Sequence, residues 1–63
     1  MTEIVFKDKD GNDMVKYWSN IIPRIGETVM LEHINGPLIV KSVCHIFFKG
    51  RFNDVHSVII HTE

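Results

Sequence analysis

Four histidines and one cysteine are the residues of this 63-residue chain best suited to metal or nucleophilic chemistry. Imidazole and thiolate are good zinc ligands, and a thiol beside an imidazole can act as a nucleophile. The spacing disfavours both roles. Cys44 and His45 are neighbours in a predicted strand and point to opposite faces, and His56 and His61 also differ in strand parity unless a bulge intervenes. We predict no metal ligands and no cofactor, with the histidines at the surface or rim and Cys44 as a small core residue.

The acidic segment 8–13, Asp-Lys-Asp-Gly-Asn-Asp, has some of the spacing of a calcium-binding loop. The register that fits it puts Phe6 and Tyr17 at the first and twelfth positions, where carboxylates are required. A charged hairpin tip is therefore the better interpretation. Because the chain also lacks a phosphate-binding loop, a nucleophile elbow and a closely spaced acid and base, we predict that it is not an enzyme.

Aromatic and cationic residues alternate in one segment, Phe47 to Phe52, which includes Lys49, Gly50 and Arg51. Single-stranded nucleic acids prefer this combination, because rings stack on bases and cations meet phosphates. The segment departs from the strand of RNA-recognition motifs, since Arg51 stands where an aromatic residue is expected. A net charge of −1 and a pI near 6.4 give no general attraction to phosphate backbones. Nucleic-acid binding by this loop is thus the alternative function and not the main one.

Length and composition indicate one small domain, residues 1–63. A chain this short buries only about 60% of its unfolded surface, so self-association would help it to stay folded. With Cys44 as the only cysteine, no intrachain disulfide is possible, which favours a reducing compartment. The N-terminus lacks a secretory signal and no apolar run approaches the roughly 20 residues of a membrane span. We predict a cytoplasmic protein that does not enter membranes.

Turn signals recur at short intervals, as in an all-β chain. A hairpin centred on Asp10-Gly11 is predicted to join strands at Ile4–Phe6 and Met14–Trp18. The connection Ser19 to Ile22 follows, and Ser19 could also begin a single helical turn. Pro23-Arg24-Ile25-Gly26-Glu27-Thr28-Val29 then reads as a tight turn into a strand that alternates as far as Ile34, with Arg24 and Glu27 in solvent.

Asn35-Gly36 is a strong two-residue hairpin signal, and the returning strand is predicted to run from Leu38 to Phe48. A strand this long in a small barrel must bend, so we predict a bulge at Lys41-Ser42. With the bulge, one face carries Leu38, Val40, Val43, His45 and Phe47. Without it, one face carries Leu38, Val40, Ser42, Cys44, Ile46 and Phe48, and the sequence does not decide between them. Residues 49–54 form a polar loop, and residues 55–62 form the last strand.

The predicted fold is therefore all-β, a small, partly open barrel of about five antiparallel strands. Its pattern is Pro-x-x-Gly-Glu-x-Val-x-Leu at 23–31, a hairpin, the apolar pair Val40 and Val43, and a last strand rich in Val and Ile. Over residues 23–61 this pattern resembles the small SH3-like and Tudor-like barrels, and also short proteins of bacteria and their phages. The resemblance implies an SH3-like fold. The aromatic cage by which many such barrels hold ligands is not evident, so the resemblance leaves the ligand open.

The long strand is apolar on both of its faces, and Val58-Ile59-Ile60 repeats this in the last strand. We assign Ile39, Val43 and Phe47 to one face, and Val40, Cys44, Ile46 and Phe48 to the other. Continuous apolar runs indicate cover on both sides, and this chain has no helix to supply it. We therefore predict a non-enzymatic interaction or assembly module, of bacterial or phage type by the resemblance, that forms a homodimer or docks a protein partner. The predicted binding residues, including those of the alternative nucleic-acid loop, are Ile39, Phe47, Lys49, Arg51, Phe52 and Ile59.

Overall fold

The computed structural model describes residues 1–63, which form five strands and no helix. The strands are β1 Thr2–Lys7, β2 Asp13–Ser19, β3 Thr28–Val29, β4 Leu38–Phe48 and β5 Val55–Thr62. They lie in one sheet in the order β2-β1-β5-β4-β3, which curls around an apolar core as a half-barrel. The predicted all-β fold and its small, partly open barrel are confirmed. No helix long and apolar enough to cross a membrane is present.

The β1–β2 hairpin forms where the sequence predicts it. Gly11 adopts a φ of 85°, which glycine tolerates without steric cost. The Asp8 carboxylate accepts hydrogen bonds from the backbone N–H groups of Asp10 and Asn12, each at 2.9 Å. The backbone hydrogen bond from Asn12 is the main reason that the pKa of Asp8 lies below its ordinary value. The charged tip is thus a hairpin turn held by its own first carboxylate.

The bulge in β4 is also confirmed, because the register with β5 shifts between Val40 and Ser42. Val40 lies opposite Thr62 and Val43 lies opposite Ile60, so both point to the buried face. Of the two arrangements left open by the sequence, the structure has the bulged one: Leu38, Val40, Val43, His45 and Phe47 share the inner face. Ile39 consequently lies on the outer face, and its assignment to one face with Val43 and Phe47 was wrong.

The strand that enters from the Pro23 turn is much shorter than predicted. β3 ends at Val29, whose partner is already Leu38, so residues 30–37 form a loop and Asn35-Gly36 is not a two-residue hairpin. His33 has a φ of 66°, which ends any extended run there. Leu31 lies in the loop and is buried at 9% exposure. The sequence predicts Leu31 as one position of an alternating strand, but Leu31 instead reaches the core from a turn.

The pairing of β1 with β5, which joins the two hairpins into one sheet, is parallel. This corrects the expectation of antiparallel strands throughout. Ile4 of β1 lies beside Val58 of β5, and Phe6 beside Ile60. The chain reverses four times between β1 and β5, so the two strands run in the same direction and can only pair in parallel. The Thr62 hydroxyl adds to this seam by donating to the Lys7 carbonyl oxygen at 3.1 Å.

The core lies on the inner face of the half-barrel. Its buried apolar residues have exposures between 0% and 9%, and they are Ile4, Phe6, Leu31, Val40, Val58 and Ile60. The edge of Phe6 meets Tyr17 of β2 at 6.1 Å between centroids and 79° between planes. Each of the five strands therefore contributes at least one side chain to this cluster or packs one against it.

The turn at Pro23–Val29 covers one side of the core, because Val29 packs against the core cluster. Glu27 donates its N–H to the Arg24 carbonyl at 3.0 Å, with Gly26 at a φ of 89°. The Glu27 carboxylate accepts the Arg24 N–H, so this side chain closes the turn although it was expected only to face solvent. Gly26 and Glu27 then exchange hydrogen bonds with Val40, each at 2.9 Å. Turn and strand entry together hold this segment against β4.

Candidate interaction surface

The far end of the β4–β5 hairpin extends beyond the rest of the sheet. Phe47 pairs with His56 and Phe48 with Val55, whereas β1 pairs with β5 only from Ser57 onward. We call residues 47–56 the arm and the remainder of the chain the body. The arm accounts for the elongated shape of the molecule, which measures 40 Å by 19 Å by 19 Å. Within the arm, strands β4 and β5 have no other strand beside them.

Large apolar side chains are concentrated and exposed in the arm. Phe47 is 74% exposed, Phe48 55%, Phe52 89% and Val55 50%. Exposed apolar residues are common singly, but a contiguous group on one small element marks an interaction surface or an aggregation hazard. The arm therefore has the densest group of exposed apolar side chains, although Trp18, Ile21, Ile25 and Met30 of the body are exposed as well.

Aromatic rings occupy the inner face where the arm joins the body. The ring of Phe47 lies parallel to that of His56, with centroids 4.5 Å apart and planes 6° apart. His45 joins them through a contact of 2.9 Å between its Nδ1 and Nε2 of His56. Thr2 Oγ1 lies 3.4 Å from Nδ1 of His56, which links the group to β1. Three rings and one hydroxyl thus form a continuous inner surface.

The outer face carries a second apolar strip. Phe48 and Val55 lie opposite each other in the arm, and Cys44 and Ile59 lie opposite each other in the body. Ile46 lies between them on the same face by strand parity. Ile59 is half-buried, whereas Cys44 is exposed, so the prediction that Cys44 is a core residue was wrong. From Phe48 back to Ser42 the outer strip therefore runs from the arm onto the body without a charged residue of β4.

One edge of β4 is free along most of its length. β3 pairs with β4 only at Leu38 and Ile39, and turn residues 26–27 bond only to Val40. From Ser42 to Phe48 the strand pairs with β5 alone, and none of these residues has a formal charge at pH 7. Natural edge strands usually carry lysine or proline to prevent pairing with another chain. This edge lacks both.

The loop at the tip of the arm holds the cations. The Arg51 guanidinium lies 5.8 Å from the centroid of the Phe52 ring, within cation–π range. Lys49 lies beside an open hollow of about 300 Å³ that Phe47, Phe48 and Asp54 also line. A Cβ at Gly50 would collide with the backbone carbonyl of Asn53, so the loop requires glycine there. The tip combines exposed rings with a small excess of positive charge.

The structure brings four of the six predicted binding residues together and separates two. Phe47, Lys49, Arg51 and Phe52 all lie in the arm. Ile39 and Ile59 lie on the outer face of the body, opposite in direction to Phe47. The residues that sequence reasoning missed are Phe48, Val55 and the facing pair of His45 and His56. Counting outward from the 49–54 loop would have paired positions 48 with 55 and 47 with 56, so the signal for them was present.

A second opening lies beside the core, between β2 and the segment that leads to Leu31. It is an open hollow of about 460 Å³, lined mostly by apolar residues that include Tyr17, Trp18 and Met30. The Tyr17 hydroxyl oxygen accepts the Glu32 N–H at 3.4 Å and so bounds it on one side. Its polar groups are few, and the Tyr17 and Ser19 hydroxyls already bond within the protein, which gives a small ligand little to orient it.

Comparisons with family models, curated proteins and solved structures find no significant match to this chain. The candidate surface is accordingly defined by its geometry alone. That geometry consists of an arm apolar on both faces, a free and uncharged strand edge, and a loop with two cations.

Proposed function

We propose that this chain is a non-enzymatic interaction or assembly module that self-associates through the arm and the free edge of β4. The single observation that carries the proposal is the exposure of Phe47, Phe48, Phe52 and Val55 on a two-stranded element. An isolated two-stranded hairpin is marginally stable in water. An arm of this kind gains order and buries apolar area when another surface covers it.

A second copy of the chain is the partner that the free edge suits best. Pairing of β4 with itself across a twofold axis is antiparallel and satisfies the same backbone groups on both copies. Because residues 42–48 have no formal charge, two copies of this edge do not repel each other. The resulting sheet would continue from one copy into the next, with both apolar faces extended across the junction.

Sedimentation velocity with a pair of matched variants tests this proposal. Phe48→Asp places a charge on the arm, and Ile21→Asp places the same charge on a body residue that is 81% exposed. Burial of a phenylalanine contributes about 1.5–3 kcal/mol, and every 1.4 kcal/mol is a factor of ten in affinity. We expect Phe48→Asp to weaken dimerisation about tenfold to a hundredfold, and Ile21→Asp to leave it unchanged.

Circular dichroism of both variants establishes that each retains the β fold before association is compared. A wild-type chain that stays monomeric at millimolar concentration would overturn self-association. Equal weakening by both substitutions would show that added charge acts on association generally and that the arm is not the interface.

A specific observation favours a second function, the binding of single-stranded nucleic acid by the tip of the arm. Phe52 is 89% exposed and stands beside Arg51, while Lys49 lies next to Phe47. Exposed rings and adjacent cations are what bases and phosphates require. This candidate differs from the first in its dependence on salt, because phosphate contacts release counterions.

Fluorescence anisotropy with a short labelled single strand, at 20 and 200 mM salt, separates the two functions. If the tip binds nucleic acid, Lys49→Ala with Arg51→Ala abolishes binding at low salt. Lys9→Ala with Arg24→Ala removes the same charge from the body and leaves binding intact. No anisotropy change in the wild-type protein at 20 mM salt rules out the nucleic-acid function.

A further inference from the structure

His45 and His56 meet where the arm joins the body, on the inner face of neighbouring strands. His45 Nδ1 and His56 Nε2 are 2.9 Å apart, the ring centroids are 5.1 Å apart and the planes differ by 13°. This is the geometry of an in-line N–H···N hydrogen bond, in which one ring donates and the other accepts. The bond requires one neutral imidazole, because a doubly protonated pair has two facing donors and no acceptor.

Uncharged groups hold His56 in this pair. Phe47 covers one face of its ring, with centroids 4.5 Å apart and planes 6° apart. From β1, Thr2 Oγ1 lies 3.4 Å from Nδ1 of His56. His45 is exposed, and its ring has no hydrogen bond other than the one to His56. His45 is therefore the member that turns away when the bond between the rings is lost.

The charged groups around the pair do not offset a second proton. By element, they are the amino terminus before β1, Arg24 and Glu27 in the turn at residues 23–29, and Lys49 and Asp54 on the arm. Arg24 and His45 line the same open hollow, and the Glu27 carboxylate accepts the Arg24 N–H. Neither ring of the pair has a carboxylate within 4.0 Å. A second proton therefore adds a positive charge that no anion in contact balances.

Pairing of β4 with itself would place His45 at the centre of the interface. The uncharged part of the free edge runs from residue 42 to residue 48, and its midpoint is His45. An antiparallel pairing across a twofold axis that uses this whole segment sets His45 opposite the same residue of the second copy. Cβ atoms of directly opposite residues are about 4.5–5.5 Å apart. Four imidazoles, two from each copy, then lie in one row on the inner face.

We propose, on the basis of the proposed self-association, that the His45–His56 pair is a pH switch that permits the dimer at neutral and alkaline pH and separates it in acid. Histidine changes charge between about pH 5 and 8. Protonation puts like charges opposite each other across the twofold axis, and such a juxtaposition disfavours association. A second proton on a pair also breaks its internal hydrogen bond. Because monomers take up protons that the dimer excludes, acid shifts the equilibrium toward monomers.

Sedimentation velocity at about pH 8, 6.5 and 5 tests the switch. We expect the dimer dissociation constant of the wild-type chain to rise at least tenfold from the highest pH to the lowest. His45→Gln supplies a polar side chain that does not titrate, so its dissociation constant should change less than threefold. His33→Gln removes a histidine outside the pair whose side chain is 89% exposed, and it should respond to pH as the wild-type chain does. Circular dichroism establishes that both variants keep the β fold at each pH.

Proton uptake by the wild-type chain tests the same switch without any substitution. Binding and protonation that oppose each other must do so reciprocally. In an NMR titration, the His45 ring should therefore take up its proton at a lower pH in concentrated, dimeric protein than in dilute protein. The His33 ring should titrate alike at both concentrations.

Three results would overturn the switch, and they separate it from self-association itself. A dimer at pH 8 whose dissociation constant is unchanged at pH 5 would remove the switch and leave self-association standing. An equal pH response in His45→Gln and in the wild-type chain would assign the effect to other groups. Absence of a dimer at every pH would overturn both proposals.

Discussion

Strands β4 and β5 run through both the body and the arm, but the two regions differ in what lies beside these strands. In the body, β5 lies between β1 and β4, and its residues Val58 and Ile60 are 0% exposed. In the arm, the same strand has only β4 beside it, and Val55 is 50% exposed. The presence of β1 beside β5 in the body, and its absence in the arm, therefore decides whether the side chains of β5 are buried or exposed.

This difference divides the apolar side chains of β4 and β5 into a buried set and an exposed set. Burial contributes about 25 cal/mol per Å² of apolar surface, so inner residues of the body contribute to folding. The arm side chains are at least half exposed, so they contribute less to the stability of the isolated chain. Under the proposed function a second surface covers them, and stability and interaction would then belong to separate ends of one hairpin.

The largest expected difference between body and arm is in the free energy of unfolding after one side chain is truncated in each region. Ile60→Ala should lower the free energy of unfolding by about 2–5 kcal/mol, because it empties a fully buried site. A chain of this size has a total of only about 3–9 kcal/mol, so much of the fold is lost. Phe52→Ala in the arm should change the monomer's stability by less than about 0.5 kcal/mol. Urea unfolding, followed by circular dichroism at low concentration, measures both.

A large effect of Phe52→Ala on the monomer would mean that the arm packs on the body and that the division is wrong. A small effect of Ile60→Ala would place the core elsewhere.

Two glycines, Gly11 in the body and Gly50 in the arm, test the same difference in the turns. Gly11→Ala should cost the body about 1–2 kcal/mol, because alanine is strained at a φ of 85° although space is open around it. Gly50→Ala should instead rearrange the arm loop, because its Cβ meets the Asn53 carbonyl. We expect amide NMR shifts to change throughout residues 47–56 and the unfolding free energy of the body to stay constant. Loss of body stability in Gly50→Ala would contradict this.

Amide hydrogen exchange at two concentrations tests whether the arm becomes covered. Amides of β1 and of β5 from Ser57 onward should be protected at any concentration, since strands lie on both sides of β5. Arm amides should exchange quickly in dilute protein and about fivefold more slowly at a total chain concentration ten times the dimer dissociation constant, where about a fifth of the chains remain monomeric. Arm protection that does not depend on concentration would show that the arm is ordered within one chain.

The smallest expected effect is the pH response of the Asp8 hairpin in the body. The folded pKa of Asp8 lies below its unfolded value because backbone N–H groups, that of Asn12 first, stabilise the carboxylate. This contribution to stability is present above the unfolded pKa and is lost as pH falls through the folded one. A carboxyl NMR titration should place the Asp8 midpoint below the ordinary value. Asp8→Asn should remove this pH dependence while the hairpin remains.

Local features were predictable because their causes lie within a few residues. Asp10-Gly11 predicts its hairpin, and the length of β4 predicts its bulge at Lys41-Ser42. Asn35-Gly36 shows the limit of this reasoning. The same dipeptide that favours a hairpin lies here in a longer loop, because burial of Leu31 in the core outweighs continued pairing of β3.

The candidate surface was predicted only in part for the same reason. The loop residues Lys49, Arg51 and Phe52 were found from composition. Phe48 and Val55 required the register between strands, and the assignment of Ile39 and Phe47 to opposite faces required the bulge to be placed. A slip of one residue moves every following side chain to the other face, so face assignments depend on an event that periodicity does not show.

The amino-acid sequence by itself determined that this protein is all-β, where its first hairpin turns, and that β4 and β5 have more apolar side chains than one core can use. Only the tertiary structure decided which of those side chains are covered. The parallel pairing of β1 with β5 from Ser57 onward buries Val58 and Ile60 and leaves the arm without a neighbour, and the antiparallel β4–β5 register places His45 beside His56. Turn and strand preferences act between adjacent residues, whereas burial depends on which distant strand arrives beside them.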